Sequence, residues 1–170
     1  MRGRQPQRRF SRALRGPFNQ SDVEFDCELG VLVDVSMLAD RLAIADVLTA
    51  YTVAIDTGDW DRLDTVFTED AEIDYSESGG QVGQFSEIKE WLAVTLPIFI
   101  RRQHQLGQMD VTLNGDNATV AAYFINPMVY VVDGEERIFE CGGVYHHELV
   151  RTPAGWRSRK LHEQLVWRRA

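Results

Sequence analysis

The chain has 170 residues, of which 44% are hydrophobic and 26% are charged, and this composition is typical of one folded domain rather than of a disordered chain. Its net charge of −8 is unevenly distributed, because residues 1–21 carry six arginines and no acid, so the remainder carries −14. The acidic remainder argues against a nucleic-acid-binding platform, and the arginine-rich segment is more typical of a solvated tail than of a binding arm. We expect residues 1–36 to form a basic arm and residues 37–170 the domain, with Met37 as the folded boundary or the true start.

No segment has the pattern of a membrane span or an export signal. The longest uncharged apolar run, Trp91 to Ile100, has about half of the roughly 20 residues that a spanning helix needs. Arg8-Arg9 is not followed by the apolar stretch that an export signal requires. The two cysteines, Cys27 and Cys141, fit no metal or redox spacing. We therefore expect a cytoplasmic protein that binds neither membrane nor nucleic acid.

Three helices are predicted in the first part of the chain. The first begins after Ser36 and ends at Gly58, and the second is a short helix that begins after Asp59. The third begins after Ser86 and ends at Pro97. Apolar positions at helical spacing are expected to form the buried face of the first helix: Leu38, Leu42, Ala45, Leu48, Thr52 and Ile55.

Strands dominate the rest of the chain. A brief strand, Ala71–Tyr75, precedes the third helix, and alternating apolar residues then predict a strand over His104–Leu113. The next strand is expected to bulge or bend at Pro127, and two further strands span Ile138–Val150 and Trp156–Trp167. Asn-Gly and Asp-Gly turns between the strands indicate an antiparallel meander. The sequence thus predicts an α+β fold with three N-terminal helices on a strongly curved, mainly antiparallel sheet.

Three short segments carry a family resemblance. Tyr51–Leu63, Ile73–Tyr75 and Arg102–His104 resemble, in residues and spacing, the SnoaL-like dehydratases of the nuclear-transport-factor-2-like (NTF2-like) superfamily. The pattern is similar to scytalone dehydratase and the bile-acid 7α-dehydratases, and the spacing from acid to histidine is similar to that of hexachlorocyclohexane dehydrochlorinase. The resemblance covers roughly Leu38 to Trp167. It implies a cone of helices and curved sheet around one small-molecule pocket.

The resemblance implies a catalytic group of four residues. His104 matches the base of those enzymes, Asp56 the residue that orients it, and Tyr51 and Tyr75 the tyrosines that donate hydrogen bonds to substrate oxygen. An aspartate bonded to one imidazole nitrogen fixes the tautomer and stabilises the imidazolium that forms. Tyr51 and Asp56 are about 140° apart on a helix, so both address one cavity only if the helix ends near Asp56, as Gly58 favours.

The predicted pocket is apolar. The second histidine of scytalone dehydratase corresponds to Phe124, and its serine and asparagine correspond to Gly143 and Tyr145, which disfavours scytalone as the substrate. A flat steroid, terpenoid or polyketide-like molecule fits better. Neither a cofactor nor a metal is expected, since His146 and His147 point to opposite faces of a strand. The predicted substrate-binding residues are Trp60, Val120, Phe124, Asn126, Cys141 and Tyr145.

Two functions of different classes remain open from the sequence. One is a cofactor-independent lyase of the dehydratase type, or an isomerase, that acts on a small apolar hydroxy or keto compound. The other is a non-catalytic ligand-binding protein or the small subunit of a ring-hydroxylating dioxygenase, which shares this fold. An interaction module that uses the arginine arm is a weaker third alternative. The resemblance also implies a homo-oligomer, with a trimer favoured over a dimer.

Overall fold

The computed structural model of the protein describes residues 34–169. All but the last three residues of the predicted basic arm lie outside this range, so the boundary at residue 36 stays a prediction. In chain order the helices and strands are α1 (Val35–Thr57), β1 (Phe67–Asp74), β2 (Val82–Gln84), α2 (Phe85–Thr95), β3 (Arg101–Arg102), β4 (Gln105–Asn114), β5 (Asn117–Val132), β6 (Glu135–Thr152) and β7 (Gly155–Arg169).

The described chain contains two α-helices, not the three that the sequence predicted. The second predicted helix is a six-residue 3-10 helix, Trp60–Thr65, in which Asp59 accepts a hydrogen bond from the Arg62 backbone N–H at 3.3 Å. Its apolar residues Leu63 and Val66 are three apart, which is the spacing of a 3-10 turn. Two further 3-10 turns, Ser76–Ser78 and Leu96–Ile98, follow β1 and α2.

Both α-helices begin slightly before the serines that were expected to cap them. The Asp34 carboxylate accepts hydrogen bonds from the backbone N–H of Ser36 at 2.9 Å and from its hydroxyl at 2.7 Å. At α2, the Glu87 carboxylate accepts from the backbone N–H of Gln84 at 3.2 Å in a capping box. A carboxylate is a stronger acceptor than a hydroxyl, so Ser36 becomes a donor to Asp34 instead of the cap.

The buried face of α1 is also shifted from the predicted one. Leu38 and Leu42 are 49% and 61% exposed, so the first two predicted positions do not belong to the core. The face begins at Ile44 and includes Tyr51, which the apolar pattern omitted. The other buried positions of α1 are Val47, Leu48, Thr52, Ala54 and Ile55.

The strands form one mixed sheet. Its order is β2-β1-β7-β6-β5-β3, with β4 also paired to β5, and β4 to β7 form the expected antiparallel meander. β1 runs parallel to β7, while β2 pairs antiparallel with β1 at the edge. The α+β class and the curved, mainly antiparallel sheet therefore match the prediction. No helix in the described range is long and apolar enough to cross a membrane.

A break in the sheet beside Pro127 positions the site. β3 ends at Arg102 and β4 starts at Gln105, and both pair with β5 on either side of Pro127. The predicted bulge at Pro127 is absent, because the pairing of β5 with β6 continues through Pro127 without a register shift. Proline has no N–H to donate, and opposite it the Gln103 N–H bonds to the Pro127 oxygen at 3.1 Å. His104 follows Gln103 in the interruption, and its own backbone N–H points away from β5.

Candidate functional site

A cavity of about 240 Å³ lies between the helices and the sheet. Its walls come from α1, α2, the turn after β1, and strands β5 to β7. Six of the ten residues that the sequence assigned to the site line this cavity: Tyr51, Tyr75, His104, Asn126, Cys141 and Tyr145.

The Asp56 carboxylate binds His104 at two points. Its Oδ1 lies 2.6 Å from Nδ1 of the imidazole, and its Oδ2 accepts the His104 backbone N–H at 2.8 Å. The imidazole is almost fully buried, with 4% of the side chain exposed. With Nδ1 held by the carboxylate, Nε2 is the nitrogen that can accept a proton. Asp56 itself does not line the cavity and acts on it only through His104.

The environment of Asp56 keeps it ionised. Burial opposes ionisation, but the hydrogen bonds from the His104 side chain and backbone outweigh it and lower the pKa of Asp56. Arg102 adds a nearby positive charge, and its guanidinium donates to the backbone oxygens of Asp56 at 3.3 Å and Leu96 at 2.9 Å. These bonds join the end of α1 to the turn after α2, so the carboxylate is held where the helix stops.

Two tyrosine hydroxyls meet at the cavity wall. The Tyr51 and Tyr75 oxygens are 2.8 Å apart and share a hydrogen bond, and both side chains are buried. The ring of Tyr51 also contacts the ring of Tyr145 edge to face, with centroids 5.4 Å apart. Burial raises the pKa of all three phenols well above 10. They therefore remain protonated and can act as hydrogen-bond donors.

Asn126, Cys141 and Glu163 line the same cavity. The Oδ1 atom of Asn126 is buried and has no hydrogen-bond partner, which is costly unless a ligand supplies one. Burial, with the charges of Glu163 and Glu140, raises the pKa of Cys141 to about 12, so it is a neutral thiol. Burial likewise raises the pKa of Glu163 to about 7, although the Ser78 side chain and the charge of His162 oppose that shift. Glu163 is only 7% exposed.

Comparison with known proteins identifies the family. A model of the SnoaL-like domain matches residues 36–162, well over half of the chain. The chain belongs to the SnoaL-like domain family. This match confirms the resemblance that the three sequence segments indicated.

This SnoaL-like domain is similar to several known proteins and structures. "Uncharacterized protein Rv2910c" of Mycobacterium tuberculosis is 42% identical over 126 residues, which cover 74% of this chain and 85% of that protein. A "putative aromatic ring hydroxylase" from Novosphingobium aromaticivorans is 35% identical with a TM-score of 0.69, covering 76% of this chain and 91% of that one. A "putative scytalone dehydratase" from the same organism is 16% identical with a TM-score of 0.72, covering 81% and 91%, and supports the NTF2-like fold alone.

Three residues predicted to bind substrate lie outside the cavity of this SnoaL-like domain. Trp60 lies beside Arg102, whose guanidinium carbon is 5.8 Å from the centre of the indole ring. Val120 belongs to the buried core and does not reach the cavity wall. Phe124 stacks on Tyr145 at 4.0 Å and lines a separate recess of about 600 Å³. Phe124 therefore supports the cavity wall from behind.

Glu163 is the titratable residue of the cavity wall that the sequence interpretation missed. It lies opposite Tyr145 in the pairing of β6 with β7. The buried positions Leu161 and Glu163 alternate along β7, so an acid occupies an inward position of an otherwise apolar series. The acid at this inward position is the feature of the sequence from which its place in the cavity could have been predicted. Within residues 34–169 no group of three or more histidine, cysteine or acidic side chains could hold a metal ion.

Proposed function

We propose that this SnoaL-like domain is a lyase that removes a proton next to a carbonyl group and eliminates a leaving group from the adjacent carbon. The observation that carries this proposal is the Asp56–His104 pair, whose buried imidazole faces a cavity lined by tyrosine hydroxyls. Without a leaving group on the substrate, the same proton abstraction leads to isomerisation. The sequence left these two reactions open, and the elimination is the one that we develop.

His104 provides the general base. Nε2 takes the proton from the substrate carbon, and the ionised Asp56 stabilises the imidazolium that forms. General-base catalysis of this kind contributes about 10² to 10⁴ in rate. Because Asp56 also holds the backbone of His104, the ring does not have to be ordered when the substrate binds.

The tyrosines supply a donor for the developing oxyanion. Tyr51 hydrogen-bonds to both Tyr75 and Tyr145, so the three hydroxyls carry three protons and share two hydrogen bonds. The remaining proton is available to the carbonyl oxygen of a substrate in the cavity that all three line. A preorganised donor at such an oxygen contributes about 10² to 10³ in rate.

The size of the cavity limits the substrate. A dry cavity of about 150 Å³ holds benzene, so about 240 Å³ suits a molecule of one or two rings. A four-ring steroid, which the sequence interpretation included, would extend out of this cavity through its open side. The unpartnered amide oxygen of Asn126 favours a ligand with a hydrogen-bond donor. We therefore propose a one- or two-ring hydroxy ketone as the substrate class.

A non-catalytic role in a ring-hydroxylating complex is the second candidate. It is favoured by the similarity to the 35% identical structure described as a "putative aromatic ring hydroxylase". Such a subunit requires neither a general base nor an acidic residue that orients the base. Co-purification with a larger redox partner, together with the absence of turnover, would favour this role.

The proposed function is tested with a panel of one- and two-ring hydroxy ketones. Product formation is followed for the wild type and His104→Ala, while circular dichroism checks the fold of each. We expect binding by both proteins and turnover by the wild type alone. Binding without turnover by the wild type, or equal turnover by both, would contradict the lyase.

A further inference from the structure

The cavity contains a buried carboxyl group for which the base and the oxyanion donor leave no role. Glu163 lies on β7, whereas His104 lies between β3 and β4, which both pair with β5. β6 separates β5 from β7, so the two side chains reach the cavity from different strands of the curved sheet. A substrate in the cavity would therefore be surrounded by a wall that contains both side chains.

Burial is the main influence that favours a proton on this carboxyl. Glu163 is 7% exposed, and its burial raises the pKa of the carboxyl. The nearby Ser78 side chain opposes this effect without cancelling it, and its hydroxyl donates to the backbone oxygen of Tyr75 at 3.0 Å.

Few charges near Glu163 favour its ionisation. His162, the next residue on β7, contributes positive charge, but it is already paired with Asp74 at 3.3 Å and Glu77 at 3.2 Å. Glu77 acts in the opposite direction, as a like charge. The remaining titratable groups that interact with Glu163 are neutral hydroxyls and a thiol: Tyr51, Tyr75, Tyr145 and Cys141.

We propose that Glu163 is a second catalytic residue, the general acid that protonates the leaving oxygen of the substrate. This inference rests on the proposed lyase function and deepens it, because it assigns the leaving group to a hydroxyl rather than to a halide. A hydroxide ion is a poor leaving group in an apolar cavity, whereas a halide departs without a proton.

The step is balanced without a further reactant. The C–H bond breaks and its proton goes to Nε2 of His104, while the bonding electrons move toward the carbonyl oxygen and give an enolate. As the carbonyl re-forms, that electron pair becomes the C=C bond to the adjacent carbon, the C–O bond of that carbon breaks, and the oxygen takes the Glu163 proton and departs as water. The imidazolium afterwards returns its proton to the Glu163 carboxylate through solvent, which restores both groups.

Glu163 is better suited to this step than the tyrosines. The best acid for proton transfer has a pKa near the working pH. The pKa of Glu163 is raised to about 7, while the pKa values of Tyr51 and Tyr75 lie well above 10. The tyrosines are therefore suited to donating hydrogen bonds to the substrate, and the Glu163 carboxyl is suited to transferring a proton to the leaving oxygen.

The test compares two leaving groups on one carbon skeleton. A β-hydroxy ketone and the matching β-chloro ketone are given to the wild type, Glu163→Gln and a surface control, Glu148→Gln. We expect Glu163→Gln to slow hydroxyl elimination by about 10²-fold or more and chloride elimination by at least tenfold less than that. Equal losses for both substrates, or no loss for the hydroxy ketone, would overturn the proposal.

A second measurement needs no substrate. Infrared difference spectra at slightly acidic pH record the carbonyl band of a protonated carboxyl group, with Glu163→Gln as the reference. A band that is present in the wild type and missing in Glu163→Gln supports a proton on Glu163, and its absence in both overturns the general acid. If His104 is not the general base, His104→Ala will instead show undiminished turnover. The failure of the proposed base and the failure of the proposed acid can therefore be distinguished.

Discussion

Asp56 binds His104 through both of its carboxylate oxygens, one on the imidazole Nδ1 and the other on the backbone N–H. The second bond is possible because the neighbouring Gln103 N–H is the one that bonds to Pro127 of β5, so the His104 N–H points away from β5. An acid at the end of α1 thus holds both the ring and the backbone of one histidine. The proposed chemistry depends on this arrangement.

The Asp56→Asn substitution removes the negative charge of the carboxylate beside His104 while nearly preserving the shape of the side chain. The amide has nearly the same shape, but its NH₂ group can favour the wrong imidazole tautomer and it cannot stabilise an imidazolium. We expect kcat to fall by about 10² to 10⁴ with little change in KM. Steady-state kinetics on folded protein check this, and a change confined to KM would contradict an orienting role.

The tyrosine pair should behave as a coupled unit. Tyr51→Phe or Tyr75→Phe leaves the partner hydroxyl buried without its bond, at a cost of about 1 to 3 kcal/mol of unfolding free energy. The double variant removes both hydroxyls, so its cost should be smaller than the sum of the two single costs. Urea unfolding of the four proteins gives the coupling energy. Strictly additive losses would contradict the shared hydrogen bond.

Gly143 is required where β6 meets β7. A Cβ at this position would lie 2.0 Å from the Gln164 carbonyl oxygen, at a point where the register of the two strands shifts. We expect Gly143→Ala to lower the unfolding free energy by about 3 kcal/mol. Gly107→Ala is the matched control, since its Cβ would meet Tyr123 at an ordinary 3.5 Å. Equal melting temperatures for the two variants would refute the steric argument.

His147 should make the fold sensitive to acid. Burial, with a smaller contribution from the charge of His146, lowers the pKa of His147 from 6.5 to about 3. Between these values the unfolded chain binds a proton that the folded chain does not, so this residue lowers stability by about 1.4 kcal/mol for each pH unit of acidification. His147→Leu should flatten that dependence, whereas the exposed His146→Leu should not. Unfolding free energies measured across the acidic range check both variants.

The sequence predicted those parts of the molecule that depend on local periodicity. The meander β4 to β7 followed from alternating residues and Gly-containing turns, and Gly58 fits the end of α1 beside Asp56. Helix starts were less accurate, because Ser36 donates to Asp34 instead of capping the helix. Glu163 was missed, although the alternation along β7 places it on the inward side of the strand. The other walls of the cavity come from α1, α2 and β5, which are distant from Glu163 in the chain, so no local pattern shows that it lines a cavity.

Proton exchange tests the central claim most directly. A one- or two-ring ketone without a leaving group is incubated in D₂O with the wild type, His104→Ala and Asp56→Asn, and deuterium at the carbon next to the carbonyl is measured by NMR. The account predicts exchange with the wild type, none above background with His104→Ala, and exchange slowed by about 10² or more with Asp56→Asn. Undiminished exchange in His104→Ala would contradict the assignment of His104 as the general base.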